Sequence, residues 1–165
     1  MDVVTERPTA LPPYRAYATI TGVFVAGLAL SGGIARLIGR DPREQNWLDL
    51  VTLSAATFKA SRTTVRDDVT SFLREPFVEG DPRDSEDEHP VQTGGLEQAI
   101  GELVTCSRCV GTWVAAGLAT TQVVAPRFGR MLTWTLAGAG VNDFLQAGFN
   151  ALTRKANELD PHPEG

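Results

Sequence analysis

The chain has 165 residues, a formal net charge of −5 at pH 7 and a pI near 5.0. That length fits one domain, and the acidic balance supplies no electrostatic footprint for nucleic acid. Two cysteines, Cys106 and Cys109, cannot make a disulfide framework, and a close pair in a reducing compartment stays as thiols or binds metal.

The mean hydropathy of −0.09 is that of a soluble protein, but the average hides a segregated charge pattern. Residues 1–13 are polar, Pro-bearing and aperiodic, which predicts a disordered tail. From Ala16 to Ala35 there are 20 residues without charge. At 1.5 Å per residue the run is about 30 Å long, the thickness of a bilayer core. Tyr14 and Tyr17 stand at its start, where aromatic rings anchor at the interface. A first span is predicted at about 16–36. A signal peptide cleaved near Ala29-Leu30-Ser31 is the competing reading. The long polar lead-in, and Arg36, Arg40 and Arg43 just downstream, oppose it.

Asp41-Pro42 predicts a turn, and residues 47–62 a helix with Asn46 as N-cap. Its uncharged part, Leu50 to Phe58, is only 9 residues long. A helix lying in the interface is then less costly than one that buries Asp49 and Lys59, and its depth is left open. Residues 63–78 predict a short amphipathic helix with Val65, Val69, Phe72 and Leu73 on one face, stopped at Glu75-Pro76. Nearby, Arg66, Asp67, Asp68 and Arg74 suit a salt-bridged surface helix, with a lipid head-group or partner site as the alternative. Residues 80–95 crowd Asp81, Asp84, Glu86, Asp87 and Glu88, which predicts a solvated acidic loop, with a docking segment for a basic partner as the alternative.

Helical spacing resumes over 96–104. Residues 109–126 are 18 without charge, and 131–150 carry Asp143 alone. These two runs are predicted to span as an antiparallel hairpin turning at Arg127-Phe128-Gly129-Arg130. Residues 156–165 are a second predicted tail. The fold class is thus all-α: one small helical membrane domain over 14–155, with two or three transmembrane helices and the amphipathic or half-spanning helix 47–62. Whether or not 47–62 spans, Lys and Arg counts put 59–108 and the C-terminus on the cytoplasmic side of a bacterial inner membrane. If it spans, both termini share that side, with 10 basic residues against 5.

Close helix association in lipid needs small residues. Ala18, Gly22 and Ala26 form one such face, Gly111, Ala115 and Ala119 a second, and Thr135, Ala139, Asp143 and Ala147 a third. Asp143 is therefore expected to point into the bundle with Asn142 nearby, close to the cysteines, accepting from the Trp113 indole, the Thr112 hydroxyl or Arg108. An ionisable group there has a structural, proton- or ion-handling, or metal-binding reading.

Cys106-Ser107-Arg108-Cys109 is the sharpest chemical feature. A pair three apart at a helix start suits inert thiols, a redox pair or a shared metal. Zinc wants four ligands, and His89, Glu102 and Asp143 are the extra candidates unless a second copy supplies another pair. No cofactor is otherwise expected, and no phosphate loop, His-Glu-x-x-His or Gly-x-Ser-x-Gly motif points to an enzyme.

Four blocks, WLDLVTL from Trp47, ATFKASR from Ala56, DVTSFLREPF from Asp68 and GELVTCSRCVGTW from Gly101, resemble domain-of-unknown-function family 1360. The likeness runs from about Trp47 to Phe149. Ser107 stands where the family pattern usually has proline. The resemblance implies a small bacterial membrane protein, with one family member tied to sporulation, and no established activity. The expected role is a non-enzymatic membrane component that assembles with itself or with a larger complex, in contact with the lipid bilayer. The alternatives are a thiol- or metal-dependent module, and a small transport, pore or lysis-type protein.

Overall fold

A computed structural model describes residues 12–40, 45–80 and 88–159. The elements are α1 (Tyr14–Leu37), α2 (Trp47–Arg66), α3 (Ser71–Arg74), β1 (Val78–Glu79), β2 (His89–Pro90), α4 (Leu96–Thr105), α5 (Ser107–Val124) and α6 (Pro126–Leu159). The fold is all-α. Its two short strands only pair Val78 with Pro90 and Glu79 with His89, antiparallel. The predicted turn at Asp41-Pro42, the core of the acidic loop and most of both tails lie outside the described residues.

Local chemistry sets the helix ends. Asn46 Oδ1 accepts from the Leu48 and Asp49 N–H groups at 2.8 and 3.1 Å, and Asp49 accepts from the Asn46 N–H at 3.0 Å. That reciprocal capping box starts α2 where its sequence predicts. Helix α1 ends at Gly39, whose φ of +68° lets the chain turn left-handed and the Arg40 N–H reach the Ala35 carbonyl at 2.9 Å.

Helices α1, α2, α5 and α6 alternate in direction. At one end Tyr17 of α1 donates to Glu102 of α4. At the other, the Arg40 guanidinium donates to the last carbonyls of α5, Val123 and Val124, at 2.8 and 2.7 Å. Both termini of the bundle and the 67–106 segment therefore share one end. Helix α2 is the centre, with its most extensive contacts to α6 and then α5, while α1 leans on α5 and α4. The core is Ala56, Leu118 and Ala137, flanked by Leu53, Val114 and Leu136.

Several expectations are corrected. The hairpin turns at Ala125, and Arg127 to Arg130 already belong to α6. Pro126 begins that helix, where a missing N–H costs nothing. Gly129 serves close approach, since a Cβ there would lie 2.5 Å from the Thr121–Gln122 backbone. Residues 63–78 are not one amphipathic helix. Helix α2 continues to Arg66, and the chain then winds through two single 3-10 turns around α3. Val69, Phe72 and Leu73 are exposed, whereas Arg74 is wholly buried. Helix α6 continues to Leu159, past the predicted end of order at 155.

Only α1, among the described helices, is long and apolar enough to cross a bilayer on those grounds alone, and 6% of its most apolar stretch is buried. Helices α5 and α6 cover the other two predicted spans but fall short of that test. Lack of charge is not high hydropathy, because Thr112, Thr120, Thr121 and Gln122 dilute α5, and Thr133, Thr135, Asn142 and Gln146 dilute α6.

Gly101 of α4 has no room for a side chain, since its Cβ would lie 2.3 Å from the Phe77 carbonyl and 3.2 Å from Pro90. Gly101→Ala is expected to lower stability by roughly 1–3 kcal/mol, as overpacking does. Gly117→Ala, with open space around it, should be neutral or stabilising. Thermal melts of both variants in detergent, followed by circular dichroism, make the comparison.

Candidate functional site

The described residues between α2 and α5, 67–80 and 88–106, fold into a cap over one end of the bundle, and Arg74 holds it together. Its Nε and Nη2 donate to the two Glu88 oxygens at 2.8 and 3.2 Å, a bidentate pair. Nη1 donates to the carbonyls of Thr64 and Asp67 and to the Thr70 hydroxyl at 2.8, 3.2 and 3.2 Å. The planar guanidinium thus satisfies carbonyls at the end of α2 while it anchors the chain at Glu88. The predicted surface cluster is corrected here: Arg74 is 0% and Glu88 7% exposed. Glu88 also leaves the predicted solvated loop, because β1 and β2 carry it inward.

A second network joins the cap to α1. The Gln98 side chain accepts from the Gly94 N–H at 2.9 Å and donates to Glu102 at 3.0 Å. Glu102 also accepts from Tyr17, so that aromatic latches α1 to α4.

Asp143 does turn toward another helix, but its partner is Lys59 of α2, at 2.8 Å. Phe58 and Phe144 stack beside the pair with centroids 5.1 Å apart. Trp113 instead meets Phe24 of α1 edge-on at 5.0 Å, and Asn142 is exposed. The contact face of α6 is centred on Thr133, Ala137 and Gly140, about one residue round from the predicted stripe. Of the predicted packing residues, Gly111 lies against Ser61 and Thr57 of α2, and Ala115 and Ala139 are half-buried. Gly22 and Ala26 face away from the rest of this chain.

Cys106 is the residue between α4 and α5, and Cys109 lies in the first turn of α5. The sulfurs are adjacent, the Cys109 thiol donating to Cys106, and both cysteines are free. The Cys109 thiol hydrogen-bonded to it holds the Cys106 thiol below the usual range. The Cys109 and Arg108 backbone N–H groups and the Arg108 charge add to this against a small effect of burial. Two ligands fall short of a zinc site, and among the described residues no three His, Cys, Asp or Glu gather to hold a metal. The proposed extra ligands are engaged elsewhere: Glu102 by Tyr17 and Gln98, Asp143 by Lys59. His89 stands opposite Glu79 in the backbone register of the strand pair, which leaves its imidazole outside these side-chain networks.

The family described as "Protein of unknown function (DUF1360)" matches residues 52–149, and the chain belongs to it. The chain is similar to the sporulation protein YjcA of Bacillus subtilis (strain 168), 32% identical over 106 residues, which cover 61% of this chain and 90% of that one. It is also similar to the UPF0713 protein YngL of the same organism, 25% identical over 101 residues, covering 61% and 78%. No solved structure matches. Helix α1 lies outside the family match, which contains Arg74, Glu88, Lys59, Asp143 and both cysteines.

Removing one partner of a buried ion pair strands the other. Arg74→Met and Glu88→Leu should each cost about 3–5 kcal/mol, while the double variant recovers part of the loss. Arg74→Lys should also fail, since an ammonium cannot span both oxygens. Chemical denaturation of the four variants in detergent measures the coupling.

Proposed function

We propose that this chain of the DUF1360 family is a non-enzymatic accessory subunit of a bacterial inner membrane, with α1, α2, α5 and α6 all crossing the bilayer. One observation carries the reading: large apolar side chains lie outside the bundle. Among the described residues the buried hydrophobics are Ala35, Ala56, Val65, Ala99, Val110, Leu118 and Ala137, mostly small. Exposed are Val23, Val25, Leu28 and Leu30 on α1, Leu50, Val51 and Phe58 on α2, and Trp134, Val141, Phe144 and Leu145 on α6. Water penalises a surface so apolar, and lipid does not.

The polar groups fit the same reading. At 1.5 Å per residue, the 20 residues of α2 and the 18 of α5 are about 30 and 27 Å long, enough for a hydrocarbon core. The charge that argued against burial of α2, Lys59, is paired with Asp143, and ionisable groups within a membrane survive as such pairs. An occupied Asp143 favours a structural role over an ion path. With α2 spanning, the alternating helices leave the N-terminus, the 67–106 cap and the C-terminus on one side. The excess of Lys and Arg makes that side cytoplasmic.

The cap is then the part displayed to a partner, either a second copy or a larger membrane complex. The name of the YjcA relative supplies sporulation as a process in which to look for one.

The chain should remain in the membrane pellet after an alkaline carbonate wash. Recovery as a folded monomer in the detergent-free supernatant would reject the proposal. A membrane-impermeant maleimide should leave Cys106 and Cys109 unmodified in intact cells and label them after permeabilisation; the reverse pattern inverts the topology. Mild-detergent purification should retain a partner or a second copy, and a lone monomer counts against assembly.

A further inference from the structure

We propose that Cys106 and Cys109 are a reversible dithiol–disulfide couple at the elbow between α4 and α5, exchanging with the disulfide of a low-molecular-weight thiol. The two sulfurs are adjacent, and nothing covalent joins them. Cys109 is exposed and Cys106 partly so, which gives a small reagent access. Cys106 sits in extended backbone, φ −106° and ψ 104°, as the N-cap residue of an 18-residue helix. The free N–H groups of that first turn favour negative charge on a neighbouring sulfur. A metal reading lacks this support, because Glu102 and Asp143, two of the expected extra ligands, are held in separate networks.

The chemistry divides the two thiols. The Cys106 thiolate attacks one sulfur of R–S–S–R, forming a Cys106–S–S–R mixed disulfide and expelling RS⁻, which takes up a proton. Cys109 then gives its proton to water, and its sulfur attacks the Cys106 sulfur. The bond from Cys106 to SR breaks and a second RS⁻ leaves. The chain has lost two electrons and two protons, and one R–S–S–R has become two RSH. Excess RSH drives the same steps backwards.

The elbow position gives the couple a structural readout. Oxidation would tie the start of α5 to the residue that ends α4, and α4 carries Glu102 and Gly101, its contacts with α1 and with Phe77. The state of two sulfurs is thereby coupled to the seating of the cap. This inference stands whether or not the bundle spans a membrane.

The test uses the full-length protein in detergent, equilibrated with graded ratios of oxidised to reduced glutathione, then acid-quenched, alkylated and analysed as peptides by mass spectrometry. Expected is an intramolecular Cys106–Cys109 disulfide, one oxidised glutathione consumed per chain, reversed by reduced glutathione. Cys109→Ser should stop at a mixed disulfide on Cys106. Cys106→Ser should form no internal disulfide and at most a mixed disulfide on Cys109. Absence of an internal disulfide at the most oxidising ratio overturns the proposal. So do disulfides only between copies, or thiols that react only after a chelator removes a co-purified metal. The wild-type arm decides even if a serine variant misfolds.

Discussion

The architecture depends on how closely α5 and α6 approach α2. Ala56 is wholly buried at the centre, and a Cβ on Gly140 would come within 3.1 Å of the Ala55 carbonyl and 3.3 Å of the Lys59 side chain. Gly111 brings α5 within contact of Ser61 and Thr57. Such approaches trade side-chain volume for backbone proximity, which tightens the packing of the three helices. They also set the reach of Lys59 to Asp143, which a larger residue at position 140 would lengthen. The two interactions therefore support each other.

Polar side chains do the remaining organising, and they do it at helix ends. Arg74 collects the carbonyls near the end of α2, Arg40 those at the end of α5, and Asn46 the free N–H groups at the start of α2. The hairpin is fixed similarly: Thr133 accepts from the Gln122 side chain at 2.9 Å and donates to the Gly129 carbonyl at 2.7 Å. A bundle with a thin apolar core gains directional specificity from these contacts, which have few alternative arrangements.

Much of the helical layout was legible from charge spacing. The uncharged run 16–35, the Asn46 cap, the hairpin of two long helices and the inward turn of Asp143 all follow from local pattern. Less legible were the partners. Lys59 and Asp143 are 84 residues apart, Tyr17 and Glu102 are 85 apart, and neither pair leaves a local trace. Faces were hard to assign because both sides of these helices are apolar. Periodicity therefore could not tell the exposed stripe of Gly22 and Ala26 from the contact face with Phe24, or choose between Ala139 and Gly140. Arg74 was misplaced for the opposite reason: its charge predicts a surface, and only Glu88, reached by the strand pair, makes a buried guanidinium tolerable. The turn shifted because a glycine at 129 resembles a loop residue although its purpose is contact.

The length of α6 has a consequence for what its last turns present. Gln122 sits opposite Thr133, so Ser107, 15 residues earlier, is level with residue 148. The rest of α6, 149–159, rises past the mouth of the bundle for about 16 Å as an isolated mast. Phe149 and Leu152 stand bare on its lower turns, with Arg154 and Lys155 above them. Its apolar lower turns and basic upper turns are thus presented without cover from the rest of the described chain.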